Sequence, residues 1–375
     1  MTATPHAADL ATRQSLAHGS LGTVLLDVER AHRGTTAWHE VQRRLTGIGP
    51  LMDGYQAGLF LGAPAMALVL HLAAADTGRY ANALAALDRT IAAHTRQRVA
   101  AAHTRIDHGI PAAFAEYDLL RGLTGIGALL LRRAPTGDDL RGVLEYLVRL
   151  TQPLPDGHPG WWVWHGPTNL HQPAPAGHAN AGLAHGITGP LALLALATLR
   201  GVTVPGQETA MQRICHWLDH IRQTDHHGAH WPRWTHTPGP APHHTGAPSW
   251  CYGTPGIVRA QQLAALALED PARQRAVEEA LLSCIGDPAQ LDQLTGRGLC
   301  HGVGGLLRVV QRVAADALDP HRFLEHVPRL TQRFLAAPPP QSTGFLEGTA
   351  GAALAFQSAD TPAPACDWDT SLLLV

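Results

Sequence analysis

Seven times along this 375-residue chain a glycine turn runs directly into a stretch of alanine and leucine, and a repeat of that kind constrains the architecture more than any other feature. Six copies align on glycines three apart: HGSLGTVLL (18–26), RGLTGIGALLL (121–131), HGITGPLALLALA (185–197), YGTPGIVRAQQLAAL (252–266), HGVGGLLRVV (301–310) and EGTAGAALAF (347–356). A looser copy is AGLFLGAPAMALVL (57–70). Alanine and leucine are strong helix formers, so each unit predicts a glycine turn opening a buried helix.

The segments between copies carry a different pattern. In ETAMQRICHWLDHIRQ (208–223) the apolar residues Met211, Ile214, Cys215, Leu218 and Ile221 recur at helical spacing. In HRFLEHVPRLTQRFL (321–335) Phe323, Val327, Leu330 and Phe334 do the same, with Pro328 expected to kink or break the helix. These are half-exposed helices. Buried helices alternating with amphipathic ones, almost without β-branched alternation, predict an all-α fold: an α/α toroid of about seven inner and seven outer helices. One closed domain over residues 1–375 is the simplest organisation.

Composition narrows the function. The formal net charge is -2, and neither end carries a basic block, which gives no reason to expect nucleic acid as a partner. Every positive side chain is arginine. Five widely spread cysteines, with no basic-then-apolar leader in MTATPHAADLATRQ, argue against a secreted disulfide framework and for reduced thiols in a cytoplasm. The most apolar stretch, LGAPAMALVLHLAAA (61–75), is shorter than a bilayer span and contains a histidine.

If every glycine turn precedes an inner helix, all the turns gather at one end of the toroid, where helix N-termini converge. Such termini favour anions by a few tenths to about 1 kcal/mol each. Glycine there allows close backbone approach and positive φ. The residues just before the glycines then face a shared mouth: His18, Arg121, His185, Tyr252, His301 and Glu347, with Cys251 and Cys300 one position further back. SWCYGTPG and GLCHGVGG thus place two of the five cysteines at equivalent points of the repeat.

Together, YDLLRGLTG, NAGLAHGITG, SWCYGTPG and GLCHGVGG resemble the lanthionine synthetase C family, the LanC-type cyclases of lanthipeptide biosynthesis, and CDWDTSLLLV is similar to the end of stand-alone members. The resemblance runs from about residue 18 to the C-terminus. It implies an α/α toroid holding one zinc ion that activates peptide cysteine thiols for addition to dehydroalanine or dehydrobutyrine. As partners it implies a dehydrated precursor peptide, a separate dehydratase and a membrane-associated biosynthetic complex.

The residues at the matching positions suit that chemistry. Catalytic zinc commonly takes three protein ligands and leaves a fourth position for water or substrate, and Cys251, Cys300 and His301 supply three. A thiol entering the fourth position would lose its proton. Addition also needs proton transfer near neutral pH. His185 matches a candidate acid or base of the family, and Asp118 in YDLLRG matches the carboxylate that would orient it. Tyr252 matches a family site residue and suits either hydrogen bonding to an enolate oxygen or packing.

One position departs from the family pattern. Members often carry arginine four residues before the first zinc cysteine, where this chain has Ala247, which cannot take that role; either Arg121 or Arg233 reaches the same space, or activity is altered. The histidine-rich segment TDHHGAHWPRWTHTPGPAPHHTG (224–246) reads as an exposed loop rather than a second metal site. GWWVWHG (160–166) fits either packing beneath the mouth or gripping a peptide. Cys215 falls on an apolar helix face, and Cys284 and Cys366 have no partner at ligand spacing. The resemblance implies a cyclase; the alternatives are transfer of glutathione or another small thiol to dehydrated peptides, and a non-catalytic escort of a precursor peptide.

Overall fold

The computed structural model describes residues 5–52, 56–75, 77–166, 171–235, 246–360 and 363–375. Each glycine unit leads into a helix: Ser20–His32, Ala63–Ala74, Leu123–Arg133, Thr188–Leu199, Thr254–Ala267, Val303–Asp316 and Thr349–Asp360. Ala63–Ala74 and Thr188–Leu199 are apolar on almost every face, which is stable only when the helix is surrounded by protein. Each of these helices packs on the next, and Thr349–Asp360 packs back on Ser20–His32, so the inner layer is a closed ring. The outer helices are amphipathic. In Asp138–Leu150 the buried side chains Leu140, Val143, Leu144, Leu147 and Leu150 form one stripe, with Asp138 and Asp139 in the first turn and Arg149 in the last, the arrangement that a helix dipole favours. The chain is an α/α toroid.

Backbone hydrogen bonds close the ring a second time, at the turns. Leu16 N–H donates to Phe60 O (2.9 Å), Phe60 to Leu120 (3.4 Å), Leu119 to Ala184 (3.1 Å), Ala184 to Cys251 (3.2 Å), Cys251 to Cys300 (3.4 Å), Cys300 to Leu346 (3.1 Å) and Leu346 to Ala17 (2.9 Å). The segments preceding the helices therefore meet edge to edge in chain order. Glycine permits this by its missing side chain: a Cβ on Gly256 would lie 1.9 Å from Trp250 O. Left-handed φ is not the reason, because among the repeat glycines only Gly62, in the looser copy, takes it (φ 72°).

Two expectations meet refinements. The segment around Pro328 is broken into His321–Leu324 and Val327–Ala336, with the proline in the first turn of the second helix, where its missing N–H costs nothing. The fold also contains short strands that helical periodicity did not announce. Pro173–Asn180 pairs antiparallel with Val163–His165 on one side and Trp234–Thr235 on the other, and Gln223–Asp225 pairs with Gly228–His230. The second pairing makes the start of the histidine-rich segment a hairpin; residues 236–245 lie outside the described residues.

The C-terminal segment is gripped by the inner helices. Trp250 Nε1 donates to Leu372 O (3.0 Å), Arg259 Nη2 to Leu374 O (2.7 Å), and Arg132 Nη2 to Thr370 Oγ1 (2.8 Å). Asp369, fully buried, accepts from Arg308 Nε (2.7 Å) and Arg312 Nε (2.6 Å). Burial pushes its carboxyl up, but the two guanidinium groups outweigh that and hold it below the usual range. Removing one charge from such a cluster strands the others, so Asp369→Asn is expected to cost about 3–5 kcal/mol, read as a lowered urea midpoint. A midpoint within experimental error of the parent's would show that the cluster does not hold this segment.

Candidate metal centre and active site

Because the turns meet in chain order, residues at equivalent points of neighbouring repeats become spatial neighbours. Cys251 and Cys300 are such a pair, joined through the Cys251 N–H to Cys300 O bond (3.4 Å). With His301 they bring two Sγ atoms and an imidazole nitrogen within 4.8 Å of one another, and no other cluster of three or more potential metal ligands meets this spacing among the described residues. Both thiols are buried, whereas the His301 side chain is 58% exposed, so the cluster opens toward the mouth.

The second imidazole nitrogen is already engaged. His301 Nδ1 lies 3.0 Å from Glu347 Oε1, which also accepts from the His301 backbone N–H (2.8 Å), and Nε2 lies 3.9 Å from Cys300 Sγ. A carboxylate on Nδ1 fixes the ring and leaves Nε2 as the donor atom, the common arrangement behind metal-bound histidines. Gly298 makes this possible, since a Cβ there would lie 2.2 Å from Glu347 Oε2. Glu347 stood among the mouth residues in the sequence but carried no assigned role; its position as the next repeat after His301 was the available signal.

Two thiols, one imidazole and an open side fit zinc. Tetrahedral zinc places such donors about 3.5–3.8 Å apart, which the cluster reaches with small side-chain movements. The metal-free electrostatics are those of a prepared ligand set. Burial pushes the Cys251 thiol up, yet hydrogen bonding with Cys300 and His301 outweighs it and lowers Cys251 to about 5. Cys300, bonded to that thiolate, is pushed well above the usual thiol range. His301 is raised to about 10, by Cys251 first and Glu347 next. The cluster thus favours negative charge on Cys251, and a bound dication would displace the protons that Cys300 and His301 Nε2 hold without it.

On the other side of Cys251 the ring passes to Ala184, which places His185 beside the cluster. His185 Nδ1 lies 2.7 Å from Asp118 Oδ2, and Asp118 Oδ1 accepts from the backbone N–H groups of Arg121 (2.7 Å) and Gly122 (2.8 Å). Asp118 is buried and, as a carboxylate, can only accept, so Nδ1 carries the hydrogen and Nε2 is left for other partners. Tyr252 stacks beside His185, ring centroids 5.9 Å apart. Burial pushes the Tyr252 phenol up to about 12, with Arg233 opposing, so it stays protonated and able to donate at neutral pH.

The remaining sequence candidates sort by burial and contact. Of the two arginines considered near Ala247, Arg233 has its guanidinium carbon 3.6 Å from the Tyr252 ring centroid. Trp161 and Trp162 are buried, Trp161 against Trp217 at 5.3 Å, whereas Trp164 is exposed, so the aromatic group mainly packs. Cys215, Cys284 and Cys366 are buried, and burial pushes Cys215 up to about 11, Cys284 up to about 12 and Cys366 well above its ordinary value. Burial thus disfavours the thiolate at all three. No helix is long and apolar enough to cross a membrane among the described residues.

Comparison with known proteins bears on the family and the fold. Residues 11–373 match the family described as lanthionine synthetase C-like protein. The nisin biosynthesis protein NisC of Lactococcus lactis subsp. lactis is 26% identical over 355 residues, covering 84% of this chain and 77% of that protein. The solved structure of a nisin cyclase superposes with a TM-score of 0.80 at 23% identity, over 97% of this chain and 92% of the other, a likeness that speaks to the fold. With a match spanning nearly the whole sequence, this chain belongs to the lanthionine synthetase C-like family.

Proposed function

We propose that the protein is a zinc-dependent lanthipeptide cyclase, adding cysteine thiolates of a dehydrated precursor peptide to dehydroalanine or dehydrobutyrine to form lanthionine or methyllanthionine rings. The observation that carries this reading is the convergence of Cys251, Cys300 and His301 within 4.8 Å, next to the His185–Asp118 pair. Zinc held by these three residues would lower the pKa of an incoming thiol and keep it nucleophilic. Everything else falls to the chain itself. Glu347 holds the His301 ring with Nε2 on the cluster. Asp118 fixes the His185 tautomer, so that Nε2 can take a proton from the mouth and return one to the α-carbon after addition. Tyr252, protonated, can donate to the oxygen on which charge develops.

The closed ring of helices supports treating residues 1–375 as one domain, and the peptide it would take is one that a partner dehydratase has already modified. All five cysteines are free thiols, which suits a reducing cytoplasm, and docking in a membrane-associated complex belongs to the same reading. The test is a dehydrated peptide with internal cysteines, incubated with zinc-loaded protein with and without glutathione. Loss of free thiols at constant peptide mass is expected. A mass gain of one glutathione per site would indicate thiol transfer instead, and binding without thiol loss would indicate an escort.

A further inference from the structure

Arg233 is brought to the mouth by the strands rather than by the helix ring. It directly precedes Trp234–Thr235, and its carbonyl accepts from Ala181 N–H (3.1 Å), on the segment that ends at Ala184 and His185. Its guanidinium carbon lies 3.6 Å from the Tyr252 ring centroid and 4.3 Å from the Trp234 ring. Among the described residues no carboxylate pairs with it, and its Nε is buried without a hydrogen-bond partner. Leaving a buried donor unmade is costly, about 1–3 kcal/mol, and more for a charged group. Residue 247, on the other approach to Cys251, is alanine and brings no charge. A planar cation held on aromatic faces, one donor unused, against the residue that follows Cys251 and near enough for its charge to act on the Cys300 thiol, is suited to receive an anionic or carbonyl oxygen.

On the cyclase reading above, we propose that Arg233 is a catalytic residue that binds the carbonyl oxygen of the dehydrated residue and stabilises the negative charge formed there during thiol addition. The electron flow is balanced without a redox partner. The thiolate sulfur bonds to the β-carbon, the carbon–carbon π pair moves into the carbonyl to give an enolate, and a proton delivered to the α-carbon restores the carbonyl. A guanidinium keeps its proton throughout, so Arg233 supplies charge and hydrogen bonds while the proton transfers stay with His185. Lysine would preserve the charge and lose both the fork and the stacking.

The experiment compares the parent with Arg233→Gln, Arg233→Lys and Arg233→Ala. Three quantities are measured: zinc content, affinity for a dehydrated peptide whose cysteines are replaced by serine, and the ring-closure rate at saturating reactive peptide. Arg233→Gln is expected to keep its zinc and bind the unreactive peptide within about threefold of the parent. Its closure rate should fall on the order of 10²–10³-fold, as for loss of one oxyanion donor. Arg233→Lys should recover only part of the rate, and methylguanidinium should partly rescue Arg233→Ala. Parent-like closure by Arg233→Gln overturns the inference alone. So does a rate loss matched by an equal loss of peptide affinity, which would make Arg233 a grip, or by loss of zinc. A parent that closes no rings while binding the peptide refutes the cyclase reading, and this inference with it.

Discussion

His185→Asn is expected to retain fold and zinc while slowing ring closure on the order of 10²–10⁴-fold, the range for a lost general acid or base. The substitution is chosen because asparagine can still offer a hydrogen-bond donor toward Asp118, whose other oxygen accepts the backbone N–H groups of Arg121 and Gly122 at 2.7 and 2.8 Å. Asp118→Asn is the poorer reporter. Its amide oxygen can keep the two backbone N–H bonds at the turn that opens helix Leu123–Arg133, but its NH2 then faces His185 Nδ1 and enforces the other tautomer, so lost orientation and a misplaced proton arrive together. Dehydrated peptides can close slowly unaided, so the uncatalysed rate is subtracted and zinc content measured in each variant. If His185→Asn closes rings at the parent rate with zinc intact, the proton transfers run through Tyr252 or solvent.

Cys300→Ala should abolish both bound zinc and ring formation. With one sulfur removed from a three-donor set, the remaining Cys251 and His301 cannot hold the ion at catalytic affinity. The outer helices should be little affected, because Cys251 and Cys300 are only two members of a hydrophobic core that includes buried side chains of every inner helix. Glu347→Gln provides a graded companion. It leaves all three donors but weakens the bond that orients His301, and metal affinity should drop about 10–100-fold. Metal analysis after gel filtration, with a chromophoric chelator for the affinity, reads both. Full zinc retention by Cys300→Ala would mean that the ligands have been assigned wrongly.

What could be read from the sequence follows the physics of repeats. A glycine pair before an apolar run marks a local event, a turn that must approach another backbone closely, and seven such events imply a ring. Equivalent positions in adjacent repeats then become neighbours, which is why Cys251 and Cys300 were recognisable as a pair before any coordinates. The His185–Asp118 contact spans 67 residues and rested on the family resemblance; the structure brings the two to 2.7 Å. Glu347 was seen at the mouth but had no role until its carboxylate was found on His301 Nδ1. Arg233 was hardest to place. Its position depends on the pairing of Trp234–Thr235 with Pro173–Asn180, a contact across more than fifty residues between a two-residue strand and an eight-residue one whose burial does not alternate.

Zinc K-edge X-ray absorption on the purified protein, with and without a dehydrated cysteine peptide, tests the central claim most directly, because it counts the atoms around the metal. The protein alone should show two sulfur neighbours and one imidazole nitrogen, from Cys251, Cys300 and His301, and adding the peptide should raise the sulfur count to three. Zinc that is absent, or a four-ligand shell unchanged by the peptide, would contradict the assignment of this site to thiol activation.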